Sequence, residues 1–142
     1  RDKFNLSGMR ILQFAFAEQS EDNYFLPHHY IPNSVAYTGT HDNDTTLGWW
    51  DNASEGEKDF ACRYLSSDGQ EMHWDTIRAV SNSVANTVIF PLQDVMGLSG
   101  EYRMNFPGLL DGNWAWRFQW DKLYEEATIK LGEISCKANR CQ

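Results

Sequence analysis

Ser34-Val35-Ala36-Tyr37-Thr38-Gly39-Thr40-His41-Asp42-Asn43-Asp44-Thr45-Thr46 is the stretch on which the fold turns, because a short apolar run ends there in an imidazole and two carboxylates. Residues 34–40 read as a buried strand, with Gly39 letting the backbone turn just ahead of the polar cluster. Parallel α/β folds place ligands outside the carboxyl ends of their strands, so a strand ending in His-Asp marks the rim of a site. The same residues also admit a plainer reading, a strand-end turn in which Asp42 caps a following helix and His41 bonds backbone. A calcium loop does not fit: counting from Asp42, the sixth position is Leu47 where Gly is needed, and the twelfth is Ala53 where Glu is needed.

Upstream, residues 9–16, Met-Arg-Ile-Leu-Gln-Phe-Ala-Phe, follow Gly8 and read as a first buried strand. Residues 17–33 contain Pro27 and Pro32, which oppose a long helix, and form a large loop. Downstream, Ser54-Glu55-Gly56-Glu57 has capping-box spacing and predicts a helix to about Leu65, with Phe60, Tyr64 and Leu65 on its buried face. Trp74, Ile77, Val80 and Val84 recur at helical spacing within a second helix over 71–85. Residues 87–90 read as a third strand, which Pro91 ends by withholding a backbone donor. Residues 92–120 are Gly-rich and aromatic without periodicity, a long structured loop, before Leu123, Ala127, Leu131 and Ile134 mark a closing amphipathic helix. Three apolar strands separated by long crossovers imply parallel pairing covered by helices. The class is therefore α/β. A complete (β/α)8 TIM barrel needs roughly 250 residues, so three strands in 142 residues read as part of such a barrel, incomplete as given.

A hydrophobic fraction of 42% argues for a packed core over disorder. The net charge of −8 disfavours nucleic acid and anionic membrane surfaces, which call for clustered Lys and Arg; a neutral or cationic ligand fits better. No apolar run approaches the ~20 residues of a membrane span, and Arg1-Asp2-Lys3-Phe4 lacks the apolar core of a signal peptide. Cys62, Cys136 and Cys141 are odd in number and lack zinc-type spacing, so reduced thiols in a cytosolic protein are expected, and no metal. Trp49-Trp50 and Trp114-Ala115-Trp116 read as anchors of an aromatic core, with sugar platforms the other use of such residues. His28 and His29 read as surface residues, and no serine has a nucleophile-elbow context.

Gly8-Met9-Arg10-Ile11-Leu12-Gln13-Phe14-Ala15-Phe16 and Tyr37-Thr38-Gly39-Thr40-His41-Asp42-Asn43-Asp44-Thr45 together resemble the amylomaltases, the 4-alpha-glucanotransferases also called disproportionating enzymes. Pro91-Leu92-Gln93-Asp94-Val95-Met96-Gly97-Leu98, Arg103-Met104-Asn105-Phe106-Pro107-Gly108 and Gly112-Asn113-Trp114-Ala115-Trp116-Arg117 extend the resemblance in order along the chain. It implies that residues 1–138 are a C-terminal portion of a glucanotransferase barrel carrying its last three strands, with 139–142 as a tail. The activity it implies is retaining transfer of α-1,4-glucan segments from a maltooligosaccharide, starch or glycogen donor to a glucose or glucan acceptor, with no cofactor.

Of the family's three acidic residues, the nucleophilic Asp and the Glu acid/base would lie before Arg1, so the isolated chain is expected to be inactive. Asp42 matches the third carboxylate, the transition-state stabiliser, and His41 a donor to the same glucose; Asp44 falls beside them as a support. Asn105, Phe14 and Glu18 match substrate-binding positions, although Glu18 stands where the family pattern has Asp. The plainer reading is a loop-stabilising amide for Asn105, core packing for Phe14 and solvation for Glu18, and Arg103 reads as a structural ion pair. The resemblance implies the cytoplasm, or the plastid stroma for a plant or alga. Two other classes are set against it: a non-catalytic carbohydrate-binding module using the tryptophans, and a metal-dependent hydrolase centred on His41, Asp42 and Asp44.

Overall fold

A computed structural model describes residues 1–18, 20 and 22–141. Its centre is a parallel sheet in the order β1 (Gly8–Ile11), β2 (Ser34–Tyr37), β3 (Thr87–Ile89), with Gly8 opposite Ser34, Ile11 opposite Tyr37 and Tyr37 opposite Ile89. Both crossovers are long, as parallel pairing requires. The second carries three helices, α1 (Thr46–Asn52), α2 (Glu55–Leu65) and α3 (Met72–Ser81). After β3 come α4 (Leu92–Val95), a long irregular stretch, and the closing α5 (Glu125–Lys137).

Successive residues of a strand face opposite sides of the sheet, and here the two sides differ. Arg10, Ser34 and Ala36 are buried, whereas Met9 and Ile89 on the other side are about half exposed. Leu12, Phe16, Tyr30, Met72 and Val80 belong to the main core, against which Trp49, Trp50, Phe60 and Tyr64 pack. A second cluster of Trp74, Ile77, Val95 and Ile134 brings together α3, α4 and α5. The Trp49-Trp50 pair is thus the aromatic anchor that its adjacency predicts.

Several boundaries differ from the sequence expectation. The first strand stops at Ile11 and continues as a 3-10 turn over Leu12–Ala15. That turn buries Leu12 and Ala15, one 3-10 turn apart, while the Gln13 amide N–H bonds the Thr38 carbonyl. The second strand ends at Tyr37, three residues before Thr40. Helix α3 ends at Ser81, not Ala85, because the Ser83 hydroxyl donates to the Val80 carbonyl and offers the chain an alternative to another helical turn. Val84 is consequently exposed. Helix α1 is the following helix of the plainer reading of Asp42, but Thr45, not Asp42, caps it by accepting from the Gly48 N–H at 3.0 Å.

Cys136 and Cys141 form a disulfide, so the expectation of three reduced thiols holds only for Cys62. Helix α5 ends at Lys137, and Asn139 takes a left-handed conformation, φ 55°, that turns the chain back on itself and brings the two Cα atoms within 5.0 Å. Beside the disulfide, Arg140 donates to the carbonyls of Ser81, Ser83 and Ala85, fastening the end of α5 to the entry of β3. No helix among the described residues is long and apolar enough to cross a membrane.

The capping box of α2 is present: the Ser54 hydroxyl accepts from the Glu57 N–H, and the Glu57 carboxylate accepts from the Ser54 N–H at 2.8 Å. Ser54→Ala should lower the unfolding free energy by about 1 kcal/mol, measured by urea denaturation.

Candidate functional site

The segment 38–46 leaves the carboxyl end of β2 and closes on itself before α1. Inside it, the Asn43 side-chain oxygen accepts from the Thr40 N–H at 2.9 Å and the Thr40 hydroxyl at 2.8 Å, a local turn that pushes His41 and Asp42 outward. Their side chains are about half exposed, 55% and 53%, with His41 Nε2 at 3.4 Å from Asp42 Oδ1.

Distant segments orient this pair. The Asn105 amide donates to Asp42 Oδ1 at 2.6 Å. Arg103 donates through Nη2 to the Asp42 carbonyl at 2.6 Å and through Nε to the Asn105 carbonyl at 2.8 Å, and its guanidinium lies 4.6 Å from the centre of the Phe106 ring. Arg103 therefore binds main-chain carbonyls and an aromatic face, where an ion pair was expected. The Trp114 indole packs on the His41 imidazole with ring centroids 5.0 Å apart. Trp114 has φ 60°, uncommon for a bulky residue, and its N–H bonds the Met104 carbonyl at 2.8 Å.

Below the pair, Gln13 donates to the Asp44 carbonyl at 2.9 Å. The Asp44 carboxylate accepts from the Thr45 N–H at 2.8 Å and lies where a side chain on Gly48 or Gly100 would have to go. A Cβ on Gly100 would stand 2.9 Å from Asp44 Oδ1, and one on Gly48 2.6 Å from the Gly100 Cα. Deeper still, Asp94 is 1% exposed and accepts from the Thr38 hydroxyl and the Thr46 N–H. Burial pushes its carboxyl above the usual carboxylate range, and the Thr38 and Thr46 hydrogen bonds oppose that shift.

Clefts open on both sides of the His41 loop. One, of about 340 Å³, is lined by Tyr37, His41, Ile89, Met104 and Trp114 among others. A wider one, of about 840 Å³, is bordered by Phe14, His41, Asp42, Trp49 and Arg103. Phe14 is 46% exposed there and packs edge-on against Phe25. Glu18 is exposed and lines neither cleft. The structure thus brings together His41, Asp42 and Asn105, sets Phe14 on the same cleft, and leaves Glu18 apart.

Trp114, expected as a core anchor, is instead 53% exposed beside His41. Asp94 has no role in the sequence reading beyond its place in a family motif, although an Asp inside an apolar turn after a strand is a signal for a buried polar role. Among the described residues, no group of three or more His, Cys, Asp or Glu stands where it could hold a metal ion. The metal-centre alternative therefore finds no ligand set.

A family model described as 4-alpha-glucanotransferase matches residues 1–123. The 4-alpha-glucanotransferase of Synechocystis sp. is 50% identical over 137 residues, which cover 95% of this chain and 27% of that protein. The enzyme of the same description from Thermus thermophilus is 47% identical over 139 residues, covering 92% and 28%. Among solved structures, the amylomaltase from Streptococcus agalactiae in complex with acarbose superposes with a TM-score of 0.95 at 31% identity, covering 99% of this chain and 29% of that one. The chain thus spans little more than a quarter of the length of these relatives.

The Asn105 amide hydrogen bond makes a charge-dependent prediction. Asn105→Asp would set a second carboxylate against Asp42, and like charges at that distance repel until one takes a proton. The variant should melt below the parent at pH 7. The deficit should shrink as pH falls toward about 4, where protonation restores a donor, as followed by thermal denaturation across pH.

Proposed function

Because this chain belongs to the 4-alpha-glucanotransferase family, we propose that the protein containing it transfers α-1,4-linked glucan segments between maltooligosaccharide or longer glucan chains. The three strands are part of a (β/α)8 barrel. The half-covered sheet supports this: one face is buried, with Ala36 in a core that includes residues of α1, α2 and α3, while the other shows apolar Met9 and Ile89 that further strands of a barrel would cover. The superposition on the amylomaltase structure supports it as well.

Within that site, Asp42 holds and distorts one glucose ring. Retaining glycosyl transfer passes through an oxocarbenium-like transition state, and contacts to ring hydroxyls that tighten there stabilise it. The observation that carries this reading is the Asp42 carboxylate itself: half exposed at the carboxyl end of β2, with one oxygen steadied by an amide 63 residues away. A sugar hydroxyl donating to the carboxylate makes a charge-assisted bond that no neutral amide could match. His41 donates to the same ring, and Trp114 keeps the imidazole in place while leaving part of the indole open to the cleft. The bond-breaking carboxylates belong to chain outside these 142 residues.

In the whole enzyme, Asp42→Asn should lower kcat roughly 30- to 1000-fold, the equivalent of about 2–4 kcal/mol of transition-state stabilisation. KM should change by less than about threefold, because the lost contact belongs to the transition state. Steady-state kinetics on maltotriose decide it, and an effect confined to KM would remove Asp42 from the role. The 142-residue chain alone, incubated with maltotriose, should release no glucose and form no longer oligosaccharides; turnover seen by chromatography would reject the division of labour.

A further inference from the structure

We infer that Asp94 is a positioning residue, a buried carboxylate that clasps both ends of the loop carrying His41 and Asp42. One oxygen, Oδ2, accepts from the Thr38 hydroxyl at 2.5 Å, where the chain has just left β2. The other, Oδ1, accepts from the Thr46 N–H at 2.7 Å, where α1 begins. Thr38 and Thr46 are 0% exposed and Asp94 1%, so water does not compete for these bonds. The seven residues between the two threonines form an arch whose span is set by a single carboxylate.

Asp94 is itself held rigidly, because its N–H bonds the Pro91 carbonyl and the neighbouring Gln93 side chain donates to the Tyr102 carbonyl at 3.2 Å. Tyr102 immediately precedes Arg103, whose guanidinium grips the Asp42 carbonyl, and Asn105 lies two residues further on. The short segment after β3 therefore governs the arch at its base directly and at its tip through Arg103 and Asn105. Gln13 braces it from the β1 side.

Chemistry explains why this position needs a group with two acceptors. Deleting the side chain would leave the Thr46 N–H buried without a partner, and a buried unpaired donor drives local rearrangement. An amide could serve in part, because its oxygen takes the Thr46 N–H and its NH2 is accepted by the Thr38 hydroxyl, which both donates and accepts. Shifts of about 1 Å in a group that positions substrate cost on the order of 100-fold in rate. The arch is where such a shift would be felt.

The test uses the whole enzyme, and only its kinetic arm rests on the glucan-transfer reading. Asp94→Ala should lower kcat about 30-fold or more with KM within about threefold, and Asp94→Asn should recover part of that loss. Hydrogen exchange of the amides of residues 39–46 should quicken in Asp94→Ala while that of α3 stays unchanged. Equal kcat and unchanged exchange in Asp94→Ala would overturn the inference, as would acceleration spread evenly over the sheet and α3. Should Asp94→Ala fail to fold, Thr38→Val and Thr38→Ser decide. Loss of kcat and faster loop exchange in Thr38→Val, both restored by the hydroxyl of Thr38→Ser, support the clasp, and identical behaviour of the two rejects it. A parent enzyme with no transferase activity would reject the proposed function, while the exchange measurements would still decide the clasp.

Discussion

Parallel pairing is the constraint from which the remainder of this structure follows. Strands that run in one direction must all end at one edge, and the chain must travel back across a sheet face before it starts the next. In this chain the return from β2 to β3 is made by α1, α2 and α3, and Ala36 of β2 shares a core with Trp49, Ala61, Met72 and Val80 of those helices. The ends of β1, β2 and β3 are thereby gathered at one edge. Gln13 and Phe14 follow the first, His41 and Asp42 the second, Gln93 and Asp94 the third. No strand end would form much of a site alone. Adjacency in the sheet turns three short and unrelated sequence segments into neighbours.

The strength of the site lies in its hydrogen bonds to backbone and amide groups. The His41–Asp42 pair, at 3.4 Å with both side chains about half exposed, is of the kind that contributes little to stability by itself. Orientation comes from elsewhere: the Asn105 amide on Asp42, the two carbonyl contacts of Arg103, and the indole of Trp114 on the imidazole. Each such bond adds only about 0.5–1.5 kcal/mol net, but together they remove the freedom of an exposed carboxylate to turn away. Preorganisation of this kind matters more for chemistry than for folding, because a group already aimed at its target need not be reoriented during reaction.

Local features were legible in the sequence. Ser54 and Glu57 announced their capping box, Pro91 ended a strand, and the spacing of Trp74, Ile77 and Val80 located a buried helix face. The position of His41 and Asp42 at a strand end was legible for the same reason: it depends on residues within a few positions. What could not be read depends on partners far along the chain. Asp94 meets Thr38 and Thr46 at separations of 56 and 48 residues, and nothing in a window around any of the three reveals it. Trp114 looked like a core residue because composition says nothing of the left-handed backbone that turns its ring toward His41. The bounds of helix α1 are not legible because seven residues, one of them Gly48, are too few to display a period.

Gly48 and Gly100 carry a consequence for how freely this protein can vary. Neither contributes a functional group, and Gly48 sits inside a helix, where Ala would ordinarily be the better residue by about 1 kcal/mol. Yet the Asp44 carboxylate occupies the space a single methyl would need at either position, and the two backbones approach too closely at Gly48 to make room. Steric closeness has thus transferred the intolerance of the site outward to two glycines that line neither cleft. At Gly100 a methyl would displace only the Asp44 carboxylate, whereas at Gly48 it would also meet the Gly100 backbone, so loss of Gly48 could not be relieved by moving Asp44 alone.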